Sequence, residues 1–285
     1  MTIMDNNQTI MRHIRNPKRT SDKLVITFDE MMANDPSKPG FGESFLLKAG
    51  YDLIVVQKRS DIWYQDLGVA DFSEAVSRVS AGYSDLVCYG VSMGAFAGLY
   101  FGGAVNAAIL ALAPLCSIDP RYPDLRPPKP LDQVPATQYD LADAPKSDKP
   151  VFIISDPLMR RDSLYMRKEV LPAFPKAMVA LAPGIGHPGA VPLNNMGLLQ
   201  PLVLKFIKQG EVSNVAADMR TVRGKSWVWL MSIGEQCVWR KRFTMACRLF
   251  DKAIGLAPDP APVIAKRNAL IPARYWSSAP EQGHD

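Results

Sequence analysis

The stretch DLVCYGVSMGAFAGLYFGG, Asp85–Gly103, decides how this chain folds. It opens with a short, continuous apolar run, the pattern of a strand buried on both faces of a parallel sheet. From Met93 to about Gly102 it reads as a helix. Between the two, Gly90-Val91-Ser92-Met93-Gly94 satisfies G-x-S-x-G, the spacing of a strand–turn–helix elbow. Glycines let the chain turn sharply and let helix and strand approach, while Ser92 takes a strained backbone conformation. A hydroxyl lifted clear of its own backbone is open to a base, and only then is serine a useful nucleophile. Ala95 and Gly98 are read as continuing the small-residue face that this close contact needs.

Similar apolar runs lie to either side: Leu24–Phe28, Asp52–Gln57, Ala107–Pro114, Val151–Ser155 and Ala177–Pro183. Helix-like stretches separate them, at Gly42–Ala49, Phe72–Ala81, Asp162–Leu171 and Leu198–Lys208. Strand–helix alternation predicts a doubly wound α/β domain with a mostly parallel sheet, over residues 22–209. Residues 1–21 are expected to be a partly disordered leader. Between Cys116 and Lys149 the chain is dense in Pro and Asp, cannot hold a long helix, and is read as a lid. After Gly210 the Val/Ile runs stop, and residues 210–285 are expected to form a small helical unit with a disordered end.

Three histidines narrow the search for a base. His13 lies in the leader and His284 is the penultimate residue. His187 stands in a Gly-Pro-rich loop just past the last expected strand, downstream of the serine. For the acid that orients it, Asp156 comes first, at the carboxyl end of Val151–Ser155, where functional groups gather in open α/β sheets. Asp119 and Asp162 are rivals, although either reads equally well as a turn or cap residue.

The order Ser92, Asp156, His187, each after a successive strand, resembles the α/β-hydrolase family over about two thirds of the chain. The resemblance implies a serine–acid–histidine triad and acyl-enzyme chemistry. His187 would take the Ser92 proton, and Asp156 would hold the imidazole tautomer. It also implies an oxyanion hole, with one N–H from Met93 and a second from the loop Asp29-Glu30-Met31-Met32, here assigned to Glu30. That loop lacks the HGGG pattern of many lipases, and its two acids suit a developing anion only if their side chains point away. The family's fold usually begins with extra antiparallel strands. With only about twenty residues before Leu24, these are expected to be shortened or absent. Met31, Phe41 and Trp63, with Met32 and Tyr64 beside them, are candidate substrate contacts, each with ordinary packing as the alternative.

From Trp227, WVWLMSIGEQCVWRKRFTMACRLFDKAIGLAPDP resembles one tetratricopeptide repeat, with Leu230, Ile233, Gly234, Ala246, Phe250, Ala253 and Pro258 on the expected spacings. Small Gly234, Ala246 and Ala253 would let two antiparallel helices approach around Phe250. A lone repeat cannot bury its own apolar face. It must pack on the main domain, on a second copy as a homodimer, or on a protein partner, with Trp227, Trp229 and Trp239 as candidate contacts.

Composition trims the field. A hydrophobic share of 47% is enough for a core, and the net charge of +5 is dispersed rather than gathered into a nucleic-acid footprint. Four cysteines without CxxC spacing suggest neither a zinc site nor a disulfide framework, and no phosphate loop points to a cofactor. No apolar run suits a signal peptide or a membrane span, so a cytoplasmic setting is expected. The expected function is serine hydrolysis of a small or polar ester, free or polysaccharide-linked. The alternative is a catalytically silent fold whose helical tail recruits a partner.

Overall fold

The computed structural model describes residues 1–125, 139–187, 189–212 and 214–276. Its strands are β1 (Thr2–Asp5), β2 (Thr9–Ile14), β3 (Lys23–Phe28), β4 (Asp52–Lys58), β5 (Asp85–Val91), β6 (Ala108–Leu112), β7 (Val151–Ser155) and β8 (Met178–Leu181). They form one eight-stranded sheet in the order β1-β2-β4-β3-β5-β6-β7-β8. All pairings from β4 to β8 are parallel, and β1 and β2 add an antiparallel edge beside β4.

That edge corrects the expectation of a partly disordered leader, and of the two outcomes expected for the antiparallel strands, shortened or absent, it shows strands of 4 and 6 residues. β2 buries every second residue, Thr9, Met11 and His13, and leaves Ile10, Arg12 and Ile14 partly exposed. This is the alternation of an antiparallel strand covered on one face. Because Arg12 and His13 interrupt any continuous apolar run, a search for such runs passes over it.

The helices are α1 (Glu43–Lys48), α2 (Val69–Ser80), α3 (Met93–Phe101), α4 (Arg160–Tyr165), α5 (Leu171–Ala173), α6 (Ala190–Asn195), α7 (Leu199–Gln209), α8 (Val215–Val222), α9 (Trp227–Trp239), α10 (Phe243–Leu256) and α11 (Ala261–Leu270). They cover the sheet on both faces. Leu24, Ile26 and Phe28 of β3 point into a core closed by α2 and α3. Val25 points the other way, among residues of α1, α6 and α7. Alternate side chains of one strand thus feed two cores, which is why these strands read as unbroken apolar runs.

A third, smaller core lies within α9–α11 around Leu230, Ala246, Phe250 and Val263. A Cβ on Gly234 would stand 2.9 Å from the Phe250 ring, so the closeness of α9 and α10 depends on that glycine. Trp229 borders both this core and the one beneath α7, tying the helical unit to the sheet domain.

Of the 116–149 segment, residues 126–138 lie outside the described residues, and so does His284. The described flanks pack inward. Leu125, Leu141 and Ala144 are buried in the α2–α3 core, and Tyr139 stacks on Tyr100 at 4.4 Å. Among the described residues no helix is long and apolar enough to cross a membrane.

Candidate active site

Ser92 stands between the end of β5 and the start of α3 with φ 53° and ψ −115°, a conformation that costs an L-residue on the order of 1–3 kcal/mol. Its neighbours hold it there. The Ser92 amide donates to the Leu112 carbonyl at 2.9 Å, and its own carbonyl accepts from Phe96 at 3.0 Å. A Cβ on Gly90 would lie 2.3 Å from the Gly94 carbonyl oxygen, and one on Gly94 would lie 2.3 Å from that of Phe28. Real Cβ atoms are not found at such distances from backbone, so both motif glycines are fixed by contact. Gly98 differs. A Cβ there would meet only the Cys88 Cβ at 3.8 Å, an ordinary contact, so the extended small-residue face is not required.

The Gly94 contact also locates the loop after β3, because the elbow sits directly on Phe28 and Asp29. Met93 is the first residue of α3 and has no carbonyl one turn back to receive its N–H. Glu30 and Met31 lie in the adjoining loop, and no hydrogen bond among the described residues uses their amides. The loop's conformation is set from outside. The Tyr64 hydroxyl lies 2.9 Å from the Asp29 carbonyl and 3.1 Å from that of Val56. The Asp29 carboxylate turns away to accept the Phe41 amide at 2.7 Å and the Gln57 side chain at 3.3 Å. Burial raises the Asp29 pKa against those two bonds. Burial likewise raises that of Glu30, reinforced by the Asp29 charge, while Lys58 and His187 pull it down. Glu30 therefore lies within electrostatic reach of the histidine.

His187 follows β8 in the loop that leads into α6. Its Nε2 lies 2.8 Å from Ser92 Oγ, and its Nδ1 lies 2.8 Å from Asp162 Oδ2. Asp162 is in the first turn of α4 and is 1% exposed, whereas the His187 side chain keeps 25% exposure. An acid, an imidazole and a hydroxyl in this sequence of hydrogen bonds are equipped to move the serine proton to Nε2 and to stabilise the resulting imidazolium.

The acid is therefore not the one expected first. Asp156 does follow β7 directly, but its carboxylate is occupied by backbone. Oδ1 accepts the Leu158 amide at 2.8 Å, and Oδ2 accepts those of Gly184 and Gly186 at 2.9 and 2.8 Å. It is fully buried, and burial raises its pKa, opposed by these three N–H groups and helped by the nearby Asp162 charge. Asp156 thus fastens the histidine loop to the end of β7, and Asp162, in the first turn of α4, reaches the ring. Asp119, the other rival, pairs with Arg121 at 2.7 Å.

Trp63 also departs from expectation. It is 1% exposed, and its indole N–H donates to the Leu115 carbonyl at 3.0 Å, so it packs in the core and has no surface to offer a substrate. Tyr64 is equally buried. Met31 and Phe41 remain half-buried near the loop, Phe41 packing on Tyr89 at 5.0 Å between ring centres. Missed by the sequence reading is a cavity of about 280 Å³ walled by the histidine loop and α9, with His187, Met159, Val191, Met231 and Trp239 among its lining residues. Among the described residues no group of acidic, histidine and cysteine side chains has the makings of a metal site.

No protein-family model and no curated protein matches the chain in sequence. Solved structures do match in shape. The capsule O-acetyltransferase of Neisseria meningitidis serogroup A aligns at a TM-score of 0.51 and 13% identity, over 72% of this chain and 93% of that one. With the eight-stranded order and the serine elbow, that settles the architecture. The fold is an α/β one shared with that acetyltransferase, a mostly parallel eight-stranded sheet with helices on both faces. An esterase of Pyrococcus furiosus aligns at 0.47 and 17% identity, over 70% of this chain and 86% of that one. Est1E from Butyrivibrio proteoclasticus aligns at 0.44 and 13%, over 73% and 99%. At these identities the likeness is one of fold.

Proposed function

We propose that the protein is a serine hydrolase that cleaves a small or polar carboxylic ester through an acyl-enzyme on Ser92. The observation that carries this reading is the unbroken chain Asp162–His187–Ser92, with both links at 2.8 Å, ending on a serine in a strained elbow. In the forward step His187 Nε2 accepts the Ser92 proton as Oγ attacks the acyl carbon. Asp162 holds the Nδ1–H tautomer and offsets the charge of the imidazolium. The Met93 amide, with Glu30 or Met31 from the loop after β3, meets the developing oxyanion. His187 then returns its proton to the departing alkoxide oxygen, and the freed alcohol leaves. Water then gives a proton to the same imidazole as it attacks the acyl-enzyme carbonyl, the acyl–Oγ bond breaks, Ser92 Oγ takes the proton back from His187, and the carboxylic acid leaves.

Acyl transfer to a second alcohol uses the same intermediate, so an acceptor in place of water would make the protein a transferase. The packing of α9 on the histidine loop supports an enzyme over a silent scaffold, since the tail is tied to the site rather than held away from it. The test is covalent labelling with a fluorophosphonate. Labelling of the wild type, lost in Ser92→Ala and His187→Ala, is expected. A folded wild type that does not label would overturn the mechanism.

A further inference from the structure

Resting on the reading above, the geometry points to a carbohydrate subsite for the departing alcohol, built by the C-terminal helices along the cavity that starts at His187. The direction follows from the chemistry. The acyl oxygen must turn toward the Met93 and Glu30 amides, whereas the leaving oxygen must lie at His187 Nε2 to collect its proton. The alcohol therefore extends along the histidine side of Ser92, and His187 itself is part of the cavity wall.

The facing wall is one side of α9. Val228, Met231, Ser232, Glu235, Gln236 and Trp239 recur at intervals of three and one, the spacing of a single helical face. Ser232 marks the inner end, since its hydroxyl lies 3.2 Å from where a Cβ on Gly186, next to His187, would stand. Trp239 lies seven residues on, roughly 10 Å along the helix at about 1.5 Å per residue. Lys266 of α11 reaches the same wall and pairs with Glu235 at 2.6 Å. The groove is thus anchored at one end by the proton donor for the leaving oxygen and at the other by an indole.

Its chemistry is mixed in a particular way. Met159, Val191 and Met231 give apolar surface, and Trp239 is 59% exposed, an unusual outlay of aromatic surface outside the core. Among them stand a hydroxyl, a carboxylate and an ammonium, from Ser232, Glu235 and Lys266. A hydrocarbon alcohol would leave these polar groups facing apolar atoms, at a cost. A pyranose ring has C–H faces for the methionines and the indole, and an edge of hydroxyls for Ser232 and the Glu235–Lys266 pair. The cavity of about 280 Å³ is small for a ligand site, sized for a single ring.

The test compares three acetate esters on the intact enzyme: ethyl acetate, cyclohexyl acetate and a mono-O-acetylated methyl hexoside. The hexoside is expected to exceed cyclohexyl acetate in kcat/KM by about tenfold or more, the equivalent of about 1.4 kcal/mol. In Trp239→Ala and Lys266→Met the ratio of hexoside to ethyl ester should fall about tenfold. Met245→Ala, exposed on α10 and outside the groove, should keep the wild-type ratio. Equal rates for the two rings, or ratios unmoved by Trp239→Ala, would overturn the proposal. Binding of the unesterified methyl hexoside separates this proposal from the hydrolase reading. Titration of the wild type and of Trp239→Phe, followed by indole fluorescence and NMR shifts on α9 and α11, needs no turnover. Saturable shifts on those helices support the subsite even if Ser92 does not label, and their absence overturns it even if Ser92 does.

Discussion

Replacing each of two aspartates by asparagine separates the proton relay from its scaffolding. Asp162 Oδ2 lies 2.8 Å from His187 Nδ1. When the imidazole becomes cationic, its charge centre and that of the carboxylate are about 4 Å apart, worth about 4 kcal/mol at the effective dielectric of about 20 that suits such pairs. Asp162→Asn removes that attraction from the transition state while leaving the neutral ground state nearly untouched. At about 1.36 kcal/mol per factor of ten, the acylation rate should fall about a thousandfold. An amide NH2 turned toward Nδ1 would also favour the wrong tautomer, deepening the loss. Asp156→Asn changes the same atoms a few ångströms away with a different result. The amide keeps one acceptor for the Gly184 and Gly186 amides and loses the one facing Leu158, at a cost of about 1–3 kcal/mol. Relief from holding a buried charge, the same burial that raises this carboxyl's pKa, offsets part of it. Its acylation rate should stay within about tenfold of wild type.

The assay is the rate of fluorophosphonate labelling of both variants beside the wild type, with thermal unfolding measured on the same samples. Asp162→Asn should unfold close to the wild-type temperature and label about a thousandfold more slowly. A thousandfold loss in Asp156→Asn, with Asp162→Asn near wild type, would refute the geometry argued here and restore Asp156 as the partner of the imidazole.

Gly94→Ala should fail to give a stably folded protein by circular dichroism, since its Cβ meets the Phe28 carbonyl oxygen at 2.3 Å, whereas Gly98→Ala, with 3.8 Å of room, should fold normally. Ser92→Gly should abolish labelling yet raise the unfolding temperature, because relief of the positive φ, about 1–3 kcal/mol, outweighs the roughly 0.5–1 kcal/mol that glycine costs through the unfolded chain. The Asp156 carboxyl has a folded pKa above its unfolded value, so its contribution to stability is fully present below about pH 4 and is lost as pH rises through the folded value. Chemical denaturation of wild type and Asp156→Asn across that range should show the wild type losing ground to the variant as pH increases. The opposite slope would mean that the three N–H bonds outweigh burial.

Much of the fold was legible because the signals were local. A continuous run such as Leu24–Phe28 can only be covered on both faces, and G-x-S-x-G after such a run has a steric reason that the Gly90 and Gly94 contacts make explicit. His187 was legible by elimination among three histidines. The acid was not, because nothing local distinguishes Asp156 from Asp162. Both follow β7, and the choice rests on which carboxylate the Gly184 and Gly186 amides occupy, a contact across some thirty residues of chain. Trp63 misled for a similar reason. An aromatic after a strand suggests a pocket, and only the tertiary structure supplies the Leu115 carbonyl that draws its N–H inward.

The helical tail is where sequence and site meet least visibly, and its contacts argue that the two act together. Trp229 of α9 donates its indole N–H to the Pro183 carbonyl at 2.9 Å. A Cβ on Gly184 would strike that same indole nitrogen and the Ile233 side chain, both at 2.5 Å. Gln236 reaches Met159, three residues before Asp162, at 2.9 Å. The histidine loop is thus gripped from inside by Asp156 and from outside by α9, and the strand-end segment that leads to Asp162 is touched by the same helix. A loop carrying φ of 87° at Gly184, 65° at Gly186 and 81° at Gly189 has little intrinsic preference for one shape, and glycine loses more freedom on ordering than any other residue. Holding His187 within hydrogen-bond reach of both Ser92 and Asp162 therefore needs packing from both sides, because a proton relay loses its rate when one link loosens by about 1 Å. On that account the tail's tryptophans serve the imidazole as much as any substrate. Trp229 sets the loop and Trp239 faces the groove, a division of labour along one helix that follows from their ten-residue separation and from Trp229 alone being partly buried against the sheet domain.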